Sequence, residues 1–199
     1  MTKLSLVRHG QTDWNLAKRI QGSSDIPLND TGRAQARAVG EAFRRRRWDA
    51  IFSSPLGRAR ETACIIADGL GLAEPGILPG LAERAYGEVE GLTGAQILAR
   101  FPDGAEVPGR ESRDQVADRS LAELRALAEE HRGQSLIVVS HGGVIASLVR
   151  YVTHHALPKP GDVIPNGSVH DFVLRDGVLE LDRFNLRPED YDLFTAAVS

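Results

Sequence analysis

Cysteine is almost absent from this 199-residue sequence, which contains only Cys64 and so cannot form an internal disulfide. Because Cys64 lies within an apolar helical pattern, we expect a small buried side chain rather than a reactive thiol. No signal-peptide-like apolar region follows Met1, and no run of about 18 apolar residues occurs. These absences predict a soluble, cytoplasmic protein that does not bind a membrane.

A strong excess of one charge is also lacking, because 24 Lys and Arg residues stand against 27 Asp and Glu residues. The net charge of −3 gives no reason to expect binding of a polyanion over the whole surface. One basic run, Arg44 to Arg47, ends a helical pattern and has no interleaved aromatic residues. Such residues complement a helix C-terminus, so we predict no nucleic-acid partner.

Segments with the character of strands alternate with segments of helical periodicity along the chain. Strands are predicted at 2–7, 49–52 and 135–139, with a hairpin at 169–174 and 178–184. Helical periodicity and capping residues mark about 30–43, 59–70, 117–128 and 145–152. The alternation predicts an α/β fold, a three-layer α/β/α sandwich with a mainly parallel central sheet. At 42% hydrophobic content, one domain over residues 1–199 is expected.

Three of the predicted strands lead directly into residues that bind phosphate well. The first is followed by Arg8 and His9, the second by a Ser-Ser-Pro turn and Arg58, and the third by His141 and Gly142. Because the carboxyl ends of parallel strands lie at one edge of a sheet, these side chains should meet in one site. Arginine matches the geometry of phosphate oxygens, and backbone amides that follow the glycines can add further donors.

A histidine and a carboxylic acid at such a site would suffice for phosphoryl transfer. A neutral imidazole is a competent nucleophile, and the reaction otherwise requires positioning and charge neutralisation. The leaving alkoxide needs a proton, which a carboxylic acid with a raised pKa can supply. Glu83, Glu88 and Glu90 are candidates, and the residues alone leave the choice among them open.

These motifs, taken together and in order, resemble those of the histidine phosphatase superfamily, the phosphoglycerate-mutase-like proteins. The resemblance covers residues 3 to about 170. It is carried by Arg8-His9-Gly10-Gln11-Thr12-Asp13-Trp14-Asn15, Gln21-Gly22, Thr31-Gly32, Ser53-Ser54-Pro55-Leu56 with Arg58, Glu83 with Tyr86-Gly87 and Glu90-Gly91, Gly109 with Glu111-Ser112, and Ser140-His141-Gly142-Gly143.

The resemblance implies a role for each matching residue. His9 would be the nucleophile that becomes phosphorylated, and Glu83 would be the proton donor and later the base for water. No metal and no other cofactor is implied. Arg8 and Arg58 would complete the catalytic set together with His141. The residues expected to bind substrate are Arg8, Asn15, Gln21, Gly22, Arg58, His141 and Gly142.

The resemblance also bears on the type of reaction. The cofactor-dependent mutases of this family carry a longer, more basic segment between the glutamate motif and the second histidine. The segment is short here, which favours a phosphomonoester phosphatase acting on small phosphorylated metabolites through a phosphohistidine. The alternatives are a cofactor-dependent phosphoglycerate mutase and, less favoured, a phosphoprotein or phosphohistidine phosphatase. A catalytically silent binding module is disfavoured because all the expected catalytic residues are present.

Several properties are not fixed by the sequence. The physiological phosphate ester is open, as are residual mutase activity and whether the chain forms a homodimer. The outer pocket is expected to come from residues 103–113 and from the early loop up to Asp25. The segment 186–199 is expected either to dock on the body of the protein or to fray.

Overall fold

The architecture is known from a computed structural model that describes residues 1–102 and 105–191. A mixed sheet lies at its centre. The strands among these residues are β1 (Thr2–Arg8), β2 (Ala50–Ser53), β3 (Gly76–Ile77), β4 (Ser135–Ser140), β5 (Val169–Arg175) and β6 (Val178–Leu186). Their order across the sheet is β3-β2-β4-β1-β5-β6.

The sheet is parallel on one side and antiparallel on the other. β3, β2, β4 and β1 pair in parallel, whereas β5 runs antiparallel to β1 and to β6. The antiparallel edge is the predicted hairpin, turned by Asp176 and Gly177, whose φ angles are 51° and 78°. The mainly parallel sheet is therefore confirmed, with the hairpin as its antiparallel part.

Helices cover both faces of this sheet. They are α1 (Asp13–Leu16), α2 (Asp30–Phe43), α3 (Gly57–Leu70), α4 (Gly94–Arg100), α5 (Arg113–Glu130) and α6 (Gly142–Val152). Successive side chains of β4 point to opposite faces of the sheet. Leu136 and Val138 pack with α5 and α6, whereas Ile137 and Val139 pack with α2 and α3. The predicted three-layer sandwich is confirmed.

The long helices begin at the residue types expected from the sequence. Asn29 caps α2, its Oδ1 accepting from the backbone N–H of Gly32 at 2.9 Å. Ser112 caps α5 in a reciprocal arrangement with Gln115. Each cap satisfies donors that the first helical turn leaves unpaired, and so fixes where the helix starts.

The basic run at 44–47 follows α2 and is engaged by acidic groups. Arg44 pairs with Glu41 of the helix, and Arg47 lies 3.6 Å from a carboxylate oxygen of Asp49. Arg46 donates to the hydroxyl of Tyr191 and lies 3.8 Å from Asp171. These contacts give the basic run a structural role, as expected from its position at the end of a helix.

Tyr191 ties the far end of the described chain to the sheet. The guanidinium groups of Arg46 and Arg183 each lie 4.8 Å from the centroid of its buried ring. Its hydroxyl lies within 3.4 Å of Ser5 Oγ and of both oxygens of Asp171. Of the segment 186–199, which was expected either to dock or to fray, the part up to Tyr191 docks on the body of the protein. The residues after Tyr191 lie outside those described.

Two expectations from the sequence were wrong or incomplete. Cys64 is exposed rather than buried. The buried face of α3 carries Ala59, Ala63 and Ile66, and Cys64 is rotated about 100° from Ala63 onto the outer face. The short elements α1, α4 and β3 were not predicted, because a helix of seven residues or fewer has at most two turns of periodicity and a strand of two residues shows no alternation. No helix among the described residues is long and apolar enough to span a membrane.

Candidate active site

The register of the parallel strands brings the two histidines together. Arg8 pairs with Ser140 across β1 and β4, so the next residue of each strand, His9 and His141, leaves the sheet side by side. Their ring centroids are 5.1 Å apart, and both rings are buried. Arg58 lies in the first turn of α3, the helix that follows β2 in the chain, and it contacts His9. The side chains that follow the three strands therefore meet in one site, as predicted.

His9 is held as a neutral imidazole with one nitrogen available for reaction. Its Nδ1 lies 2.7 Å from the carbonyl oxygen of Gly10, which only an N–H can bond, so the proton sits on Nδ1 and the lone pair on Nε2. Arg58 Nε donates to that Nε2 at 3.3 Å. Burial, followed by the charges of Arg8 and Arg58, holds the pKa of His9 well below its usual value. The ring is therefore uncharged near neutral pH, with the lone pair of Nε2 available as a nucleophile.

Arg58 links His9 to the early loop. Its side chain is fully buried, and its Nη1 and Nη2 donate to the carbonyl oxygens of Ser24 and Gly22 at 2.7 and 2.8 Å. Asp25 contributes a carboxylate oxygen 3.8 Å away. The contribution of Gly22 to the site is thus its carbonyl, and its φ of 57° is one that glycine adopts without strain.

Arg8 crosses the start of α6 and retains an unpartnered donor. Its Nη1 donates to the carbonyl of Ile164, whereas its buried Nε has no protein partner among the described residues. A Cβ at position 142 would lie only 3.2 Å from this Nε, so glycine is the residue that admits the guanidinium there. Buried unpaired donors are rare in proteins and are typical of ligand sites. Gln21 Oε1 and His141 Nδ1 are two further buried polar atoms without a described partner.

His141 is oriented by a serine that sequence reasoning quoted within a motif but gave no role. Ser54 Oγ lies 2.6 Å from His141 Nε2 and also accepts from the backbone N–H of Leu56. Among the described residues the Ser54 hydroxyl proton has no other acceptor, so the hydroxyl donates to Nε2, which places the ring proton on the unpartnered Nδ1. Burial, with the charges of Arg58 and then His9 and Arg8, lowers the pKa of His141 well below its usual value. This neutral ring offers an N–H donor for an anionic ligand.

The three candidate glutamates occupy different environments. Glu83 lines the central cavity, and burial raises its pKa although Arg58 and Arg8 lie nearby. Glu88 forms a surface ion pair with Arg100. Glu90 accepts from the backbone N–H groups of Ser23, Ser24 and Tyr86 at 3.0 to 3.2 Å, which makes it a clamp on the early loop. Among the three, Glu83 has the position and the raised pKa that a proton donor needs.

Asn15 supports the site through a residue that the sequence analysis missed. Its Oδ1 accepts from the backbone N–H of Thr12 and from Asn166 Nδ2, at 3.2 and 3.1 Å. Asn166 Nδ2 also lies 3.0 Å from the carbonyl oxygen of His9. Asn166 fixes the backbone of His9 in this way, and a single Asn-Gly pair in a loop gave no signal of that role.

A cavity of about 760 Å³ opens over these residues. Its lining includes all the residues predicted to bind substrate except His141, whose fully buried ring lies against that of His9. Within the described part of 105–113, only Arg113 lines it. The outer wall is instead formed by Arg150, His155 and residues 158–164, a stretch without a recognisable motif. No group of three or more His, Cys, Asp or Glu side chains in the described ranges is placed to hold a metal ion.

The family model for the histidine phosphatase superfamily, branch 1, matches residues 4–187. The chain belongs to this superfamily. An uncharacterized phosphatase, PhoE, from Bacillus subtilis is 39% identical over 77% of this chain and 78% of its own length. A metal-independent phosphoserine phosphatase from Arabidopsis thaliana is 38% identical over 88% of this chain and 78% of its own length.

Solved structures give the same result for the fold. A mycobacterial glucosyl-3-phosphoglycerate phosphatase superimposes with a TM-score of 0.80 at 32% identity, covering 92% of this chain and 98% of its own. Phosphoglycerate mutases are also among the relatives. The family and its phosphatase relatives confirm the predicted class, a hydrolase of phosphate monoesters.

Proposed function

We propose that this chain hydrolyses phosphate monoesters of small metabolites through a phosphohistidine formed on Nε2 of His9. The observation that carries the proposal is the state of this ring, a neutral imidazole whose Nδ1–H is bonded to Gly10 while Nε2 faces Arg58. A nucleophile held in one tautomer beside a buried guanidinium is suited to attack on a phosphorus atom.

In the first step, His9 Nε2 attacks phosphorus and the bond between phosphorus and the ester oxygen breaks. Arg8, Arg58 and His141 Nδ1–H hold the non-bridging oxygens, whose charge they neutralise. Glu83, whose pKa is raised by burial, reacts in its protonated form and gives its proton to the departing alkoxide. The products are a free alcohol, a phosphorylated His9 and a Glu83 carboxylate.

In the second step, the Glu83 carboxylate takes a proton from a water molecule whose oxygen attacks phosphorus. The bond between His9 Nε2 and phosphorus then breaks, releasing inorganic phosphate and restoring the neutral imidazole. Glu83 ends the cycle protonated, so no proton is gained or lost by the protein over one turnover. No group outside the chain other than water is needed.

The proposal is tested by trapping the phosphoenzyme. We expect ³²P from labelled p-nitrophenyl phosphate to be recovered on His9 after an alkaline quench, because the nitrogen–phosphorus bond survives alkali and not acid. The His9→Ala variant should fold, retain no label and lose turnover by far more than about tenfold. A His131→Gln variant, altered at a histidine outside the cavity, serves as the control and should label normally. Label that persists in His9→Ala would refute the assignment.

The candidate substrates follow from the relatives, two of which are named for phosphoserine and glucosyl-3-phosphoglycerate. A panel of phosphate esters that includes both compounds should reveal the preferred one. Isomerisation of 3-phosphoglycerate, measured with and without 2,3-bisphosphoglycerate, would identify a mutase instead. A cytoplasmic location and the small-molecule partner are parts of this proposal, and a homodimer remains a prediction that gel filtration with light scattering would test.

A further inference from the structure

The cavity carries more positive charge than one phosphoryl group requires. Six cationic side chains line it, against two carboxylates, those of Glu83 and Asp162. The chain as a whole has a net charge of −3, so this concentration is local. The cationic side chains are Arg8, Arg19, Arg58, Arg113, Arg150 and Lys159. Only Arg8 and Arg58 belong to the catalytic centre, and the remaining four lie around it.

Two of the outer cations form no ion pair with the described residues and come from neighbouring helices. Arg113 begins α5 and Arg150 lies in the last turn of α6, and these helices pack against each other. In the described part of the chain, no carboxylate lies within 4.0 Å of either guanidinium. Arg19 and Arg150 each donate a hydrogen bond, to the carbonyl of Gly91 and to His155 Nδ1, and the Arg113 side chain donates none to the described residues. Two arginines that line one cavity and have no carboxylate partner are well suited to bind an anion.

The same two arginines also border a second cavity. This neighbouring space of about 500 Å³ shares Arg113, Arg150 and His155 with the active-site cavity. Arg125 and His154 line it as well, with Asp114 as its carboxylate. The arginines therefore stand where a molecule extending outward from the catalytic centre would pass from the first cavity towards the second.

Arg150, near the end of α6, is held by hydrogen bonds to His155, a residue with a left-handed backbone conformation. His155 has a φ of 68°, in the left-handed region that favours glycine, and its N–H donates to the carbonyl of Arg150 at 2.8 Å. The side chain of His155 also contacts Arg150, because its Nδ1 accepts a hydrogen bond from Arg150 Nη2 at 2.8 Å. Non-glycine residues in this region tend to cluster at functional sites.

We propose that Arg113 and Arg150 form a second anion-binding subsite for the distal end of the substrate. The substrate would then be a phosphate monoester that carries a further anionic group, either a carboxylate or a second phosphate, several bonds from the ester that is cleaved. The proposal rests on the proposed function, since it takes the phosphoryl group to lie at His9. It assigns specificity to residues outside the catalytic set.

The test compares sugar esters that differ in their distal group. Glucose 6-phosphate carries no second anion, 6-phosphogluconate carries a carboxylate, and glucose 1,6-bisphosphate carries a phosphate. Dissociation constants are measured by calorimetry on His9→Ala, which cannot turn over, and kcat/KM is measured on the parent enzyme. Arg113→Gln and Arg150→Gln are compared with Arg110→Gln, a nearby exposed arginine outside this cavity.

We expect at least one of the two anionic esters to bind about tenfold or more tightly than glucose 6-phosphate, which corresponds to ~1.4 kcal/mol. Arg113→Gln and Arg150→Gln should each reduce that ratio several-fold, and Arg110→Gln should leave it unchanged. Equal affinity for all three esters, or an equal loss for all three in the two variants, would overturn the subsite. Absence of turnover in the parent enzyme while the binding preference persists would overturn the proposed function and leave the subsite supported.

Discussion

Replacing Glu83 by Gln removes a proton from the site with little change in shape. Glu83 Oε1 accepts from the N–H of Arg84 at 2.8 Å, and a glutamine carbonyl can keep that bond. Its Oε2 accepts from Gly143 N–H at 3.3 Å, a long bond that the glutamine NH₂ cannot replace and that is worth ~1 kcal/mol or less. The fold and the ground-state geometry should therefore survive the substitution.

The loss in rate should depend on the leaving group. General acid catalysis contributes roughly 10²- to 10⁴-fold, or about 3 to 5 kcal/mol of barrier, when the leaving group is a strongly basic alkoxide. A p-nitrophenolate ion is stable without a proton, so only the small structural loss of about tenfold or less should remain. We expect Glu83→Gln to slow phosphorylation of His9 at least tenfold more with an alkyl ester than with p-nitrophenyl phosphate.

Single-turnover mixing isolates this first step on both substrates. Since the proposed mechanism also has Glu83 activate water in the second step, the aryl ester in excess should give a burst of p-nitrophenol followed by slow turnover. Glu88→Gln is the matched control, because Glu88 pairs with Arg100 at the surface. An equal loss of rate on the alkyl and aryl esters would remove Glu83 from the role of acid.

Three further outcomes are expected. Arg58→Lys keeps the charge but loses the planar donors to Gly22, Ser24 and His9, so kcat/KM should fall by roughly one to three powers of ten; wild-type steady-state kinetics would refute the phosphate clamp. His155→Gly relieves the strain of a left-handed backbone conformation, so the free energy of unfolding in urea should stay unchanged or rise by up to about 1 kcal/mol, and a clear decrease would contradict this. The same variant should show a weaker preference for substrates with a distal anion. Burial lowers the pKa of His170 to about 3, so below about pH 6.5 the unfolded chain binds a proton that the folded chain does not. As the pH falls from about 6.5 to about 5, this histidine should therefore lower the free energy of unfolding by ~2 kcal/mol, and denaturation measured at several pH values should show a flatter dependence in His170→Gln.

The sequence predicted those parts of the fold and site that depend on local pattern. The strand ends at Arg8 and His141 could be read because a buried strand is a continuous apolar run, and parallel strands share one carboxyl edge. Glu83 was singled out from its neighbours only by the resemblance. Its distinguishing property is burial, which the residues themselves do not reveal.

Other parts of the site depend on long-range placement and could not be predicted. Asn166 reaches the backbone of His9 from a loop between α6 and β5, and the outer wall at 158–164 follows the same path. The pocket was instead expected from 103–113, of which Arg113 alone contributes among the described residues. Loops of this kind show no periodicity, and only the packed tertiary structure decides which of them covers the site.

The clamp at Glu90 has a consequence for how mutational scans of this protein are interpreted. Its carboxylate holds the amides of Ser23 and Ser24, and the carbonyl of Ser24 in turn accepts from Arg58. Loss of this carboxylate would displace the arginine and depress activity without touching the reacting atoms. Such a variant would pass for a catalytic mutant in any screen that scores activity alone. It would be distinguished by equal impairment on alkyl and aryl esters, because the proton donor itself would be intact.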